Sequence, residues 1–291
     1  MEESKKLEVK ISVDAYKKNV PHKHPGMPRT TPVFVHGDVI KGKLNIKLLD
    51  QTTPITHKGI QVSIIGRFEG GKVPNYLDPF FVKNLQLLPA SKLSQSLENI
   101  SFNFDRVSFP LPSYYGTGVN VAYYVECKVD LSPFPNVTRK PFYFVKLSAH
   151  HEDTPLHKGI GITNVLHMDV ILKSTTVDPR VGFIGYLYFA LFKIRMVSVS
   201  FEVVRVESNI LGGYLEKTDE KLQSFEIMDG APVKGTAIPI RMFTGGMNIW
   251  PNPKDSKFSV EYFLRVHAVD ETGSLYVKNI PINFVFCDNS K

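Results

Sequence analysis

The stretch Val119-Asn-Val-Ala-Tyr-Tyr-Val-Glu-Cys-Lys-Val129 alternates without a break. Val119, Val121, Tyr123, Val125, Cys127 and Val129 fall on one side; Asn120, Ala122, Tyr124, Glu126 and Lys128 fall on the other. Successive side chains of a strand point to opposite faces, so this period of two reads as a half-buried β-strand. A second stretch, Val260-Glu-Tyr-Phe-Leu-Arg-Val266, repeats it. Val121/Val260, Tyr123/Tyr262, Val125/Leu264 and Cys127/Val266 share the apolar face, and Tyr124/Phe263 match on the opposite one.

Working outward, each stretch is preceded by the same order of signals. Gly42-Lys-Leu-Asn-Ile46, Ile60-Gln-Val-Ser-Ile-Ile65 and Phe109-Pro-Leu111 precede the first; Gly185-Tyr-Leu-Tyr-Phe189, Val197-Ser-Val-Ser-Phe-Glu-Val203 and Ile238-Pro-Ile240 precede the second. An ordered repeat of this kind marks two similar domains, and 291 residues exceed the usual size of one. Helical spacing is almost absent, and 20 Gly and 20 Pro punctuate the alternating runs. The expected fold is all-β, with two antiparallel β-sandwich domains in tandem at residues 1–148 and 164–291. Residues 149–163, polar and broken by Pro155 and Gly159, read as the connector. Pro21–Pro32 and Pro89–Asn99 read as long loops.

Composition narrows the function. Apolar residues make up 43% and charged residues 22%, as in folded soluble proteins. Cys127 and Cys287 fall in different halves, which excludes a disulfide framework and argues for a reducing compartment. The opening residues lack the apolar core of a secretory signal, so a cytosolic location is expected. The apolar run Val181–Phe192 is short of the ~20 residues of a membrane helix and reads as a buried strand. Residues 1–148 carry 20 Lys and Arg against 12 Asp and Glu, whereas residues 149–291 carry 15 against 16. That basic half is either a solvated face or a surface held near anionic lipid or an acidic partner.

No phosphate-binding Gly-Lys-Ser/Thr loop, Gly-x-Ser-x-Gly elbow or His-Glu-x-x-His signature occurs, so no enzyme, metal or cofactor is expected. His150, His151, Glu152, Asp153 and His157 cluster without paired ligand spacing and read as a solvated hinge. Nucleic-acid binding is not expected, because no aromatic platform is interleaved with the basic residues. The segment Phe225-Glu-Ile-Met-Asp-Gly-Ala-Pro-Val-Lys-Gly235 stands out. Ile227 and Met228 are adjacent, so a strand sends one to the core and the other outward; Asp229-Gly230 then supplies a turn. Either this is a hairpin with an ordinary exposed apolar residue, or it is a contact point at a sheet end.

That segment, with Ile238-Pro-Ile-Arg-Met-Phe243 after it, closely resembles a stretch of the vacuolar protein sorting-associated protein 26 family, the arrestin-like subunit of retromer. The resemblance continues in Lys257-Phe-Ser-Val-Glu-Tyr-Phe-Leu264, Gly185-Tyr-Leu-Tyr-Phe-Ala-Leu-Phe-Lys-Ile-Arg195, Gly37-Asp-Val-Ile-Lys-Gly-Lys-Leu-Asn45 and Ser113-Tyr-Tyr-Gly-Thr-Gly-Val-Asn-Val121. It implies two arrestin-like sandwiches and a non-enzymatic subunit on the cytoplasmic face of endosomes. The second domain would bind the large α-solenoid subunit, vacuolar protein sorting-associated protein 35, through Ile227, Met228, Asp229, Gly230 and Ala231. Cytosolic tails of membrane cargo and a sorting nexin would meet the edge at Leu275, Tyr276, Val277 and Lys278. Family members carry Tyr-Phe where this chain has Tyr276-Val277, which removes a ring from the pocket wall. The loop at His22, Lys23 and His24 also departs from the family, as does the absence of a polar tail after Cys287. An arrestin-type adaptor acting outside retromer is the alternative, and the lack of Pro-Pro-x-Tyr motifs counts against it.

Overall fold

The computed structural model describes residues 6–14, 31–50, 52–74, 76–148 and 152–287. All regular elements among them are strands. Among these residues, one compact unit ends at Lys146 and a second begins at Leu147.

The first unit contains β1 (Leu7–Val13), β2 (Val33–Val35), β3 (Ile40–Leu48), β4 (Ile55–Glu69), β5 (Phe81–Leu93), β6 (Leu97–Phe104), β7 (Tyr114–Tyr115), β8 (Asn120–Val129) and β9 (Asn136–Val145). One sheet runs β2-β9-β8-β4-β5 and the other β1-β3-β6, which is a two-layer sandwich. The alternating stretch is β8, between β4 and β9, and Val121, Tyr123, Val125, Cys127 and Val129 are fully buried. Burial leaves the Tyr123 hydroxyl in need of a partner, and it donates to the Leu111 carbonyl at 2.7 Å.

The second unit contains β10 (Leu156–Ile162), β11 (Leu166–Leu172), β12 (Thr176–Val177), β13 (Phe183–Phe192), β14 (Met196–Asn209), β15 (Glu216–Asp229), β16 (Ala237–Met242), β17 (Phe258–Asp270) and β18 (Leu275–Phe284). Its larger sheet runs β12-β18-β17-β14-β15, the order of the first unit, and its smaller runs β10-β11-β13-β16. Tyr262 on β17 occupies the place of Tyr123 and donates to the Trp250 carbonyl at 3.1 Å. Both acceptors lie twelve residues upstream of their tyrosine. The counterpart of Phe109-Pro-Leu111 is therefore Asn248-Ile-Trp250, and not Ile238-Pro-Ile240, which lies in β16. A buried phenol needs an acceptor that no ladder has used, and the loop between sheets supplies it.

The structure differs from the sequence expectation at four places. Leu156–Ile162, inside the expected connector 149–163, is strand β10, antiparallel to β11. Its glycines aid that pairing: a Cβ on Gly161 would lie 1.9 Å from the Leu166 carbonyl oxygen. In Pro89–Asn99, β5 continues to Leu93 and β6 starts at Leu97, so the expected loop is a short crossing between sheets. The sheets are antiparallel except where the short edge strands β2 and β12 join β9 and β18 in parallel. Val181–Phe192 yields β13, but Ile184 and Tyr186 face solvent, so that strand is buried on one face only. His22, Lys23, His24, His150 and His151 lie outside the described residues.

Candidate partner-binding surfaces

Met228 pairs with Val199 and Glu226 pairs with Ser200, leaving Ile227 as the extra residue of a β-bulge. The bulge turns the last part of β15, which is the outer strand of its sheet. Met228 points inward and is 8% exposed, while Ile227 is half-buried and Asp229, Gly230 and Ala231 are exposed. Gly230 adopts φ +89° and donates its N–H to the Val197 carbonyl at 2.6 Å, which ends the strand. The chain then crosses to the smaller sheet, because β16 pairs with β13 and not with β15. The segment is thus an arch between sheets and not the hairpin that the Asp-Gly turn suggested. Buried Pro232 anchors it, and Val233 stands 68% exposed. Beyond the arch, Phe243 lies 70% exposed after β16, and the adjoining face of β13 presents Ile184 and Tyr186. Pairing alone cannot reveal Val233 and Phe243 from sequence, since both sit where the alternation lapses.

Leu275, Tyr276, Val277 and Lys278 open β18, which pairs with β17 on one side from Leu275 to Ile282. On the other side, among the described residues, β12 reaches only Asn283 and Phe284. Asn283 donates outward to the Thr175 carbonyl, and Ser274 accepts inward from the Asp270 amide. By alternation, Leu275, Val277 and Asn279 direct their N–H and C=O groups to the open edge. Leu275 and Val277 side chains are exposed as well.

The turn into this edge is built on Asp270. Its carboxylate accepts from the Thr272 hydroxyl (2.6 Å), the Thr272 and Ser274 amides (2.9 and 3.0 Å) and the Tyr276 hydroxyl (2.8 Å). The Thr272 hydroxyl is the main cause that brings its pKa down from 3.8 to about 2, with Tyr276 and the two amides adding to it. A depressed carboxyl stabilises the fold above its unfolded value and loses that contribution as pH falls through the folded one. The turn should therefore loosen between pH 3.8 and about 2. Faster amide hydrogen exchange at Thr272 and Ser274 in that window, absent in Asp270→Asn, is the expected result.

Among the described residues His157 lies 3.0 Å from Asp169 and His267 3.1 Å from Glu202, on β10/β11 and β14/β17. A cavity of about 240 Å³ in the second unit is lined by Asp153, Lys173, Ser174, Val177, Asp178 and Ile184. Lys173 lies 3.3 Å from Asp153. Burial would raise the Asp178 carboxyl, but Arg180 and the amides of Arg180 and Cys287 hold it below its ordinary value. Burial pushes the Cys127 thiol up to about 12, so it carries no thiolate at neutral pH. Among the described residues, no group of three or more His, Cys, Asp or Glu is placed to hold a metal ion, and no helix is long and apolar enough to cross a membrane.

A family model described as vacuolar protein sorting-associated protein 26 matches residues 1–273. Similar proteins include vacuolar protein sorting-associated protein 26 of Dictyostelium discoideum, 30% identical over 254 residues, covering 84% of this chain and 71% of that one. Vacuolar protein sorting-associated protein 26B of Mus musculus is 26% identical over 280 residues, covering 95% and 83% respectively. Vacuolar protein sorting-associated protein 26 of Drosophila melanogaster is 28% identical over 250 residues, covering 84% and 52%.

Proposed function

This chain belongs to the vacuolar protein sorting-associated protein 26 family, and from that premise we propose that it is the non-enzymatic, arrestin-like small subunit of retromer. It docks on the large α-solenoid subunit, vacuolar protein sorting-associated protein 35, and helps select cargo for return from endosomes. It is cytoplasmic and reaches the endosomal membrane peripherally, through the complex.

The observation that supports docking most is the arch after β15. Ile227 and Val233 expose aliphatic surface on backbone fixed by Gly230 and Pro232, and Phe243 is a further exposed ring at the far end of β16. A groove between solenoid helices accepts such prongs, and a preformed loop loses little entropy on binding. Co-elution of the purified chain with vacuolar protein sorting-associated protein 35 on a sizing column is the test; separate elution at micromolar concentrations would reject the reading.

Cargo tails and a sorting nexin are assigned to the open edge of β18. An extended tail adds as a further strand, bonding to the main chain of Leu275, Val277 and Asn279, while exposed Leu275 and Val277 contact its side chains. Val277→Pro removes one outward N–H without breaking a bond to β17. The expected result is at least a ~10-fold loss of cargo-peptide affinity by fluorescence anisotropy, with binding to the large subunit unchanged.

A further inference from the structure

The hairpin joining β14 to β15 carries the other concentration of exposed apolar side chains in the second unit. Its turn, residues 210–215, buries Leu211 but leaves Ile210 45%, Tyr214 65% and Leu215 63% exposed. The turn is fixed from both sides. Ile210 donates its N–H to the Lys257 carbonyl (2.9 Å), Gly213 donates to the Ile210 carbonyl (3.0 Å), and Leu211 donates to Asn209 Oδ1 (3.3 Å). The Ile210–Lys257 bond sets the turn beside the loop entering β17, which exposes Lys254 and Lys257; Lys217 is exposed on β15. Among the described residues none of these three lysines forms an ion pair. The neighbouring carboxylates are engaged locally: Glu216 accepts from Asn209 and Tyr214, and Asp255 accepts from the Lys257 amide.

We infer that this turn is a membrane-contact site, inserting Ile210, Tyr214 and Leu215 into the interface of an anionic bilayer while Lys217, Lys254 and Lys257 meet the lipid phosphates. An aliphatic and aromatic tip ringed by unpaired cations suits that surface, since tyrosine partitions to the headgroup level and lysine is drawn to acidic lipid. β15 is 14 residues long, so the tip stands about 45 Å along the strand from the docking arch. Lipid and the solenoid subunit can therefore be bound together, and the inference does not rest on the docking assignment.

The test is co-sedimentation of the full chain with vesicles of phosphatidylcholine plus phosphatidylserine, against phosphatidylcholine alone. Binding to the mixed vesicles only is expected. It should fall at least ~10-fold in Ile210→Asp/Leu215→Asp and by roughly fivefold per lysine in Lys254→Glu/Lys257→Glu. Tyr214→Trp gives a second readout, because Trp250 is the natural tryptophan and is 2% exposed; the emission of the variant should shift to the blue on adding mixed vesicles. No sedimentation of the wild type, equal binding to phosphatidylcholine alone, full binding by the double aspartate variant, or an unmoved emission from Tyr214→Trp would each overturn the inference.

Discussion

Replacing Ile227 by aspartate should weaken binding to vacuolar protein sorting-associated protein 35 by about 30- to 1000-fold, or roughly 2–4 kcal/mol, while leaving the thermal midpoint within a few degrees. The separation of effects follows from the bulge. Ile227 has no cross-strand partner and lies half-exposed, so a charge there meets solvent in the free protein. On the proposed docking, the same carboxylate would be carried into an apolar groove without a partner, which is costly. Met228 is the internal control: it is buried against the sheet, and Met228→Ala should cost roughly 2–3 kcal/mol of stability instead. Titration calorimetry of the first variant and urea unfolding of the second separate docking from folding. An Ile227→Asp variant that binds as tightly as wild type removes the arch from the interface.

The second large effect lies in the core of the second unit. Arg205 on β14 is 1% exposed. Its guanidinium donates to Glu220 Oε2 (2.5 Å) and the Asn248 carbonyl (3.1 Å), with buried Glu207 4.0 Å away. Arg205→Ala takes the cation away from buried Glu207 and from Glu220, and a loss of about 3–5 kcal/mol is expected. The triple variant Arg205→Met/Glu207→Leu/Glu220→Gln removes all three charges and should recover most of that loss. Denaturant melts measure both; a single variant within ~1 kcal/mol of wild type would show that the charges are already solvated.

These residues also show where sequence pattern stops. Alternation identified β8 and β17 because each carries one apolar face throughout, and the two tyrosines at matching places recur with the same hydrogen bond. On β14 the alternation misplaces Val197, which is exposed because a register shift between Met196 and Ser198 moves it to the outer face. Arg205, Glu207 and Asn209 keep the period and continue the inner face of Val199, Phe201 and Val203, although their polarity gives no sign of burial. Hydropathy reports an average preference, whereas register and a buried ion network are set by partners distant in sequence. The same limit holds at the candidate binding surfaces. That Ile227 and Met228 diverge follows from their adjacency, but which one faces solvent depends on the bulge. The open edge at Leu275–Lys278 depends on β12 being only two residues long, which the chain near Thr176 gives no reason to expect.

The most direct test is the hydrogen-exchange footprint of vacuolar protein sorting-associated protein 35 on the full chain. Slowed exchange confined to residues 227–236 and the segment leading to Phe243 is expected, with the turn at 210–215 unchanged. Protection at that turn or in the first unit, with the arch exchanging as fast as in the free protein, would contradict docking through the arch.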